Sequence, residues 1–409
     1  MHIVERFLNY TRINTTAVPL AGKLPSSAGQ ARLARLLADE MRALGLDVEE
    51  REHSIVVGTL ASNARNGEHD FPTIAWVAHL DTSPEYATDT HAQIVDYQGG
   101  DIVLNAAQNI VMRVEEFPEL NQYIGDRIIV TDGTSLLGAD NKSAIAEIMD
   151  AVQYLTSHPE IEHGTVKVVF VPDEEIGLLG AKALDIASLH ADFAYTLDCC
   201  AIGEIVYENW NAGEFRLTFT GQPAHPMSAK GKLRNSILFA QQFSAMLPGG
   251  ERPEYTEGKE GYFWVKGIEG SVARTVMTVD IRDFSGEGYE NRRHFIETLA
   301  ASFNQLHGEN TVQVDYKPVY RNVAESLQGK NYYPVELALN AMKAIGIEPK
   351  PAPMRGGYDG AVLSEKGIPC PNLFCGAHNF HSIYEFLPVN SLEQASRMVV
   401  EIIRTARRA

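Results

Sequence analysis

The stretch Val166-Lys-Val-Val-Phe-Val-Pro-Asp-Glu-Glu-Ile-Gly177 reads as a buried strand that ends in three acids. Its β-branched and aromatic run fits a strand covered on both faces, the pattern of a parallel sheet. Pro172 stops the run, Asp173, Glu174 and Glu175 follow, and a helical pattern occupies 178–187. Three adjacent carboxylates repel one another. They also stand at the carboxyl end of a strand, where open α/β sheets bind their ligands. An isolated acidic triplet is most often a solvated loop. Here residues of metal-ligand type recur at four further strand or loop ends, and that recurrence argues for a compensating cation.

Before the triplet, helices are predicted over 2–12 and 26–45, and a strand pair or long strand over 48–60. Thr73-Ile-Ala-Trp-Val-Ala78 is a buried strand leading into His79-Leu-Asp81-Thr. A carboxylate two residues from a histidine is suited to orient an imidazole that binds metal. The region 84–135 is polar and irregular, with short strands at 102–104 and 127–130. At Leu136-Leu-Gly-Ala-Asp140 a loop enters an amphipathic helix, and Asp140 also suits a helix cap. Phe193-Ala-Tyr-Thr-Leu197 is a further short strand, ending at Asp198.

The alternation of strand and helix predicts a mostly parallel sheet flanked by helices. From 211 the rhythm becomes β-α-β-β-α-β, with strands at 214–220, 261–269, 272–284 and 311–319 and helices at 232–247 and 289–307. That order is the ferredoxin-like split unit. The expected organisation is a first domain of residues 1–210 and 320–409 interrupted by an inserted domain, 211–319. The resumed domain carries a helix over 332–345, the Arg355-Gly-Gly turn, a strand over 371–374, a loop with His381, and a last helix over 391–407.

Composition narrows the function. The 409 residues are 44% hydrophobic and 22% charged, enough for a sizeable core. A formal net charge of -18 leaves no basic stripe for nucleic acid. No apolar run is long enough to span a bilayer. The opening Met1-His-Ile-Val-Glu-Arg is charged and amphipathic rather than an export signal, so a cytoplasmic protein is expected. Cys199, Cys200, Cys370 and Cys375 have neither disulfide-framework nor zinc-ribbon spacing, and are read as reduced, mostly buried thiols.

His79 with Asp81, Asp140, Glu174 with Glu175, Asp198, and His381 converge as a constellation. Two histidines and three carboxylates suit a pair of borderline divalent ions, with Asp81 and one glutamate left over. Such pairs lie roughly 3.5–4 Å apart, a span one carboxylate can bridge. The remaining glutamate would serve as general base.

His79-Leu-Asp81-Thr, Gly138-Ala-Asp140, Pro172-Asp-Glu174-Glu175-Ile-Gly, Asp198, the Arg355-Gly-Gly turn and His381 resemble the co-catalytic di-zinc exopeptidases. Phe193-Ala-Tyr-Thr and Gly221-Gln-Pro-Ala-His225-Pro-Met-Ser-Ala-Lys-Gly-Lys are similar to the tripeptide-aminopeptidase branch in particular. The resemblance covers nearly the whole chain. It implies two zinc ions per chain, one held by His79 and Asp198, the other by Glu175 and His381, with Asp140 bridging. It implies that Asp81 orients His79 and that Glu174 is general base for a bridging zinc-bound hydroxide. His225 would stabilise the oxyanion as the inserted lid or dimerisation-type domain closes, and Asn235, Arg282 and Arg355 would hold the substrate carboxylate. The expected partners are small peptides, with neither nucleic acid nor membrane, and the inserted domain offers two faces on which a homodimer could form.

The chain departs from the family at Cys199-Cys200, where Gly-Gly is usual, and at Asn141, where a second aspartate is usual. His378 replaces a tyrosine, and Ser382-Ile-Tyr replaces Gly-Lys-His. Rival readings are a di-zinc carboxypeptidase or N-acyl amino-acid hydrolase on the same scaffold, and a non-catalytic peptide-binding protein. Retention of Glu174, needed for turnover but not for metal, disfavours the last. Gly177-Leu-Leu-Gly180 lacks the dinucleotide fingerprint spacing and follows acids that would repel a pyrophosphate.

Overall fold

A computed structural model describes residues 1–65, 70–86 and 89–408. They divide into two compact units. The first comprises Met1–Tyr207, Ser326–Ala352 and Tyr358–Ala409, and the second Glu208–Glu325 and Pro353–Gly357.

The first unit is built on an eight-stranded mixed sheet. At its centre Val166–Val171, Ile74–His79, Phe193–Cys199 and Asn372–Phe374 lie side by side and parallel. The edges are antiparallel additions: Val56–Leu60 beside Val166–Val171, and Glu204–Val206 beside Asn372–Phe374. All six residues of Ile74–His79 are buried, so both faces of the sheet are covered. Helices Ala139–Ser157 and Asp359–Glu365 pack on the central strands. Val389–Thr405 and Ile3–Thr11 pack in turn on Ala139–Ser157. That helix is buried through its first eleven residues.

Two small sheets occupy the region expected to be irregular. Leu387–Pro388, Arg127–Thr131 and Ala92–Asp96 form one, and Ile102–Asn105 with Ile110–Met112 the other. The strands expected at 102–104 and 127–130 are present; the half-exposed Ala92–Asp96 carries little period-2 signal, and Arg127–Thr131 pairs with a segment some 260 residues away in sequence. Tyr97, Leu104, Met112, Leu120, Tyr123 and Phe386 close a core between them.

The second unit is a four-stranded antiparallel sheet ordered Tyr262–Gly270, Arg274–Asp283, Asn211–Thr220, Val312–Tyr320. With helices Ser236–Met246 and Gly286–His307 it has the β-α-β-β-α-β order and the strand arrangement of a ferredoxin-like unit. The first helix begins at Ser236 rather than at 232, because the Asn235 side chain accepts the Ile237 N–H and caps it there. The helix expected over 178–187 runs only from Leu179 to Ala183. Among the described residues no helix is long and apolar enough to cross a membrane.

Phe243 is fully buried against Phe219 and Phe303 in the core of the second unit. Phe243→Ala is expected to destabilise that unit by about 3–5 kcal/mol, the usual cost of emptying a buried aromatic site. Chemical denaturation followed by the fluorescence of Trp210 and Trp264 measures it.

Candidate metal centre

The four central parallel strands each deliver an acid or imidazole at their carboxyl ends. His79 is the last residue of its strand, Glu174 and Glu175 follow Val171, Asp198 is the penultimate residue of Phe193–Cys199, and His381 lies in the loop after Phe374. Asp140 is in the first turn of Ala139–Ser157, after Gly138 at φ 75°. That left-handed position suits glycine, and an added Cβ would lie 3.0 Å from the Thr82 side chain.

These side chains meet around Asp140. His79 Nε2 lies 2.9 Å from Asp140 Oδ1 and 3.9 Å from Asp198 Oδ1. His381 Nε2 lies 3.1 Å from Asp140 Oδ2 and 2.9 Å from Glu175 Oε1. Asp140 therefore shares its two oxygens between two half-sites, His79 with Asp198 and His381 with Glu175. Ligand atoms of His79, Asp140 and Glu175 all lie within 4.8 Å of one another. His381 is held at φ 61°, a left-handed conformation that costs a non-glycine residue energy and is characteristic of functional positions.

The electrostatics of this cluster call for added positive charge. Burial, followed by the charge of Asp140, pushes the Glu175 carboxyl up to about 7. Burial likewise holds Glu174 and Asp198 well above the ordinary carboxylate range, reinforced by the neighbouring acids. Hydrogen bonds to Asp140 and Glu175 raise the His381 imidazole to about 11. Burial opposes a charge on His79, but hydrogen bonds to Asp140 and Asp81 outweigh it and raise its pKa too. Protons thus occupy imidazoles where cations would neutralise the acids. Two imidazole nitrogens with carboxylate oxygens form a donor set suited to borderline divalent ions, so these residues fit a metal pair.

A second layer fixes the ligands. Asp81 is fully buried and its two oxygens accept the N–H groups of Glu174 and Glu175, at 3.0 and 3.1 Å. Its Oδ1 is also 3.4 Å from His79 Nδ1. Asp173, at φ 55°, accepts from Ser26 N–H, Ser26 O–H and the Gln30 amide. Asn141 explains its own departure from the family pattern. Its Nδ2 donates to Leu197 O at 2.7 Å and to Asp198 Oδ1 at 3.1 Å, which an aspartate there could not do. Cys199 and Cys200 act through their backbone, their carbonyls accepting from Cys375 N and Gly376 N. His378 accepts a 2.6 Å hydrogen bond from the Tyr123 hydroxyl, and burial lowers its pKa to about 4, keeping it neutral.

Four further residues named from the sequence lie in the second unit. His225 is exposed, and its Nδ1 accepts the Met227 N–H, which leaves Nε2 as the N–H donor of the neutral ring. Arg282 has an ion-pair distance of 3.6 Å to Asp280, while its Nε is buried with no hydrogen-bond partner among the described residues. Asn235 caps its helix, so its Nδ2 alone remains to donate. Arg355 donates to Thr256 and lies over Trp210, 5.1 Å from the ring centroid.

Asp173, one of the three strand-end acids, and Glu385 and Asp359 carry no role assigned from the sequence. All three are buried acids within or beside the quoted motifs, and their burial is set by segments distant in the chain. Asp359 Oδ1 has no hydrogen-bond partner among the described residues, and burial pushes its carboxyl up to about 7.

The model of the peptidase family M20/M25/M40 matches residues 137–405. The peptidase T of Caldanaerobacter subterraneus subsp. tengcongensis is 45% identical over 404 residues, covering 98% of each chain. The peptidase T of Geobacillus kaustophilus is 44% identical over 405 residues, 98% of this chain and 97% of that one. Among solved structures, the aminopeptidase PepT of Bacillus cereus matches with a TM-score of 0.77 at 23% identity over 98% of this chain and 97% of that one. A Bacillus subtilis protein described as a dinuclear metal-binding peptidase matches with a TM-score of 0.64 at 15% identity, over 98% of each chain.

Asp173→Asn turns an amide N–H₂ toward groups that already donate, leaving at least one buried donor unpaired. The expected loss of stability is about 1–3 kcal/mol per unpaired donor. Urea denaturation of the chelator-treated protein reads it without a contribution from bound metal.

Proposed function

From the membership of this chain in peptidase family M20/M25/M40, a family of metallopeptidases, we propose that it is a tripeptide aminopeptidase. It releases the N-terminal residue of free tripeptides and uses two zinc ions. The observation that carries the reading is the unequal environment of two adjacent glutamates. Glu175 is 2.9 Å from His381, whereas among the described residues the Glu174 carboxylate has no hydrogen-bond or ion-pair partner. A ligand needs the first environment and a proton carrier the second.

The metal pair, when bound, would supply Lewis-acid charge that polarises the scissile carbonyl and acidifies water. His79 and Asp198 would hold one ion, His381 and Glu175 the other, with Asp140 bridging. The remaining chemistry belongs to the chain. Asp81 orients His79 and fixes the backbone of both glutamates. Glu174 takes a proton from the attacking water on a carboxylate oxygen and returns it to the departing amine. Its burial, reinforced by Asp198, Asp359 and Glu175, strengthens its hold on that proton. His225 presents Nε2–H to the developing oxyanion. Arg282, whose buried Nε–H has no partner among the described residues, grips the substrate carboxylate, and Asn235 adds its Nδ2. Arg355 is assigned to the same carboxylate less directly, since Thr256 already engages it. The second unit is read as the substrate-gripping lid and as a surface for pairing with a second copy. With a net charge of -18 and no spanning helix among the described residues, the reading is of a cytoplasmic peptide-degrading enzyme, without nucleic-acid or membrane partners.

Elemental analysis should find two zinc ions per chain, removed together with activity by a strong chelator. Metal-replete protein with no divalent ion at this cluster would end the reading. Glu174→Gln is expected to keep both ions and lose about 10²–10⁴ in kcat, while Glu175→Gln loses an ion. His225→Ala should lower kcat by about 10²–10³ with metal content unchanged, and a change confined to KM would make it a binding residue instead.

One tripeptide assayed free, N-acetylated, C-amidated and extended by two residues tests the substrate. The free form should be cut at its first peptide bond, and each lost charged contact should cost about 1.5–3 kcal/mol in kcat/KM. Faster cleavage of the acetylated form would favour the N-acyl hydrolase alternative.

A further inference from the structure

Glu385 is 1% exposed, and both its oxygens accept backbone N–H groups from a turn about 245 residues away in sequence: Oε2 from Gly138 at 2.8 Å and Oε1 from Asp140 at 2.9 Å. The first N–H groups of a helix have no partner within it, and here no side chain of the turn itself caps Ala139–Ser157. Glu385 supplies the cap from outside, accepting both amides of a turn in which Asp140 and Asn141 lie outside helical φ/ψ, while burial pushes its own carboxyl up to about 8.

Capping alone would not make it more than structural. Glu385 stands four residues after His381 in a loop closed on itself by the paired His378 and Phe386 backbones. His381 meets the Asp140 side chain, and Glu385 meets the Asp140 backbone. The contacts form a closed ring from the Asp140 amide through Glu385 and the loop to His381, and back to the Asp140 carboxylate. Asp140 belongs to both half-sites, so a shift of its turn against the loop would alter the spacing of the shared ligand and His381 together.

We propose that Glu385 is a positioning residue that sets the separation of Asp140 and His381, and through it the affinity of the half-site formed by His381, Glu175 and Asp140. The inference rests on the metal reading above. Hydrogen-bond partners that orient metal ligands typically change affinity by about 10–100-fold when removed.

Chelator-treated wild type, Glu385→Gln, Glu385→Asp and Tyr123→Phe, each of the full chain, are titrated with zinc against a chromophoric competitor. Tyr123→Phe breaks the hydrogen bond to His378 at the base of the same loop without touching the Asp140 amide, and so reports general loosening. Wild type should bind in two resolvable steps. Glu385→Gln is expected to weaken one step by about 10–100-fold and the other much less, with Glu385→Asp intermediate and Tyr123→Phe close to wild type. Glu385→Asp serves alone if the glutamine variant does not fold. Unchanged zinc affinity in a folded Glu385 variant overturns the inference, as does equal weakening by Tyr123→Phe, while two steps in wild type would keep the metal reading standing. A wild type that binds no zinc removes both.

Discussion

Acids and imidazoles crowded at the carboxyl ends of four adjacent parallel strands are the constraint under which the rest of the first unit is built. Parallel pairing aligns the strand ends on one side of the sheet, and the connections place His79, Glu174, Glu175 and Asp198 there together. Burial then makes each additional negative charge costly. In the metal-free chain that cost shows as carboxyls with raised affinity for protons and imidazoles held in their charged form. Added cationic charge would relieve the conflict, so the electrostatics and the donor chemistry both favour a metal.

Mutually repelling ligands keep their places because other polar groups hold the backbone that carries them. Asp81 binds the amides of Glu174 and Glu175, Asp173 binds the Ser26–Gln30 segment, and Glu385 binds the Asp140 turn. Neutral amides do similar work at Asp198, where Asn372 Oδ1 accepts the backbone N–H and Asn141 donates to the carboxylate. Charged hydrogen bonds to fixed backbone are stronger than neutral ones and leave little freedom, which is what a site needing ligands at fixed spacing requires. The same logic accounts for the small sheets of 92–131. Through Tyr123 and Phe386 they buttress the loop that carries His381.

The second unit contributes a different kind of group. Its core is sealed by aromatic side chains between sheet and helices, independently of the metal ligands. Its polar candidates are donors: the Nε2–H of His225 and the Nε–H of Arg282, which has no hydrogen-bond partner among the described residues.

Much of this was legible in the sequence. Apolar period and strand length are local properties, so the central strands, the principal helices and the β-α-β-β-α-β order could be read from them. The clustered acids and imidazoles were legible because their residue types recur at strand ends, which a pattern of buried runs and breakers marks. Tertiary structure alone decided what depends on distant segments meeting. It set Asp140 between the imidazole of a strand end and that of a distant loop, and Glu175 against His381, where the residue pattern by itself left either glutamate free, and it tethered Arg355 to Thr256. It also made Glu385 the cap of a helix that begins about 245 residues earlier in the chain. Nothing local encodes that contact, because a glutamate in a loop reads as solvated until the loop's closure and the helix's exposed amides bury it between them.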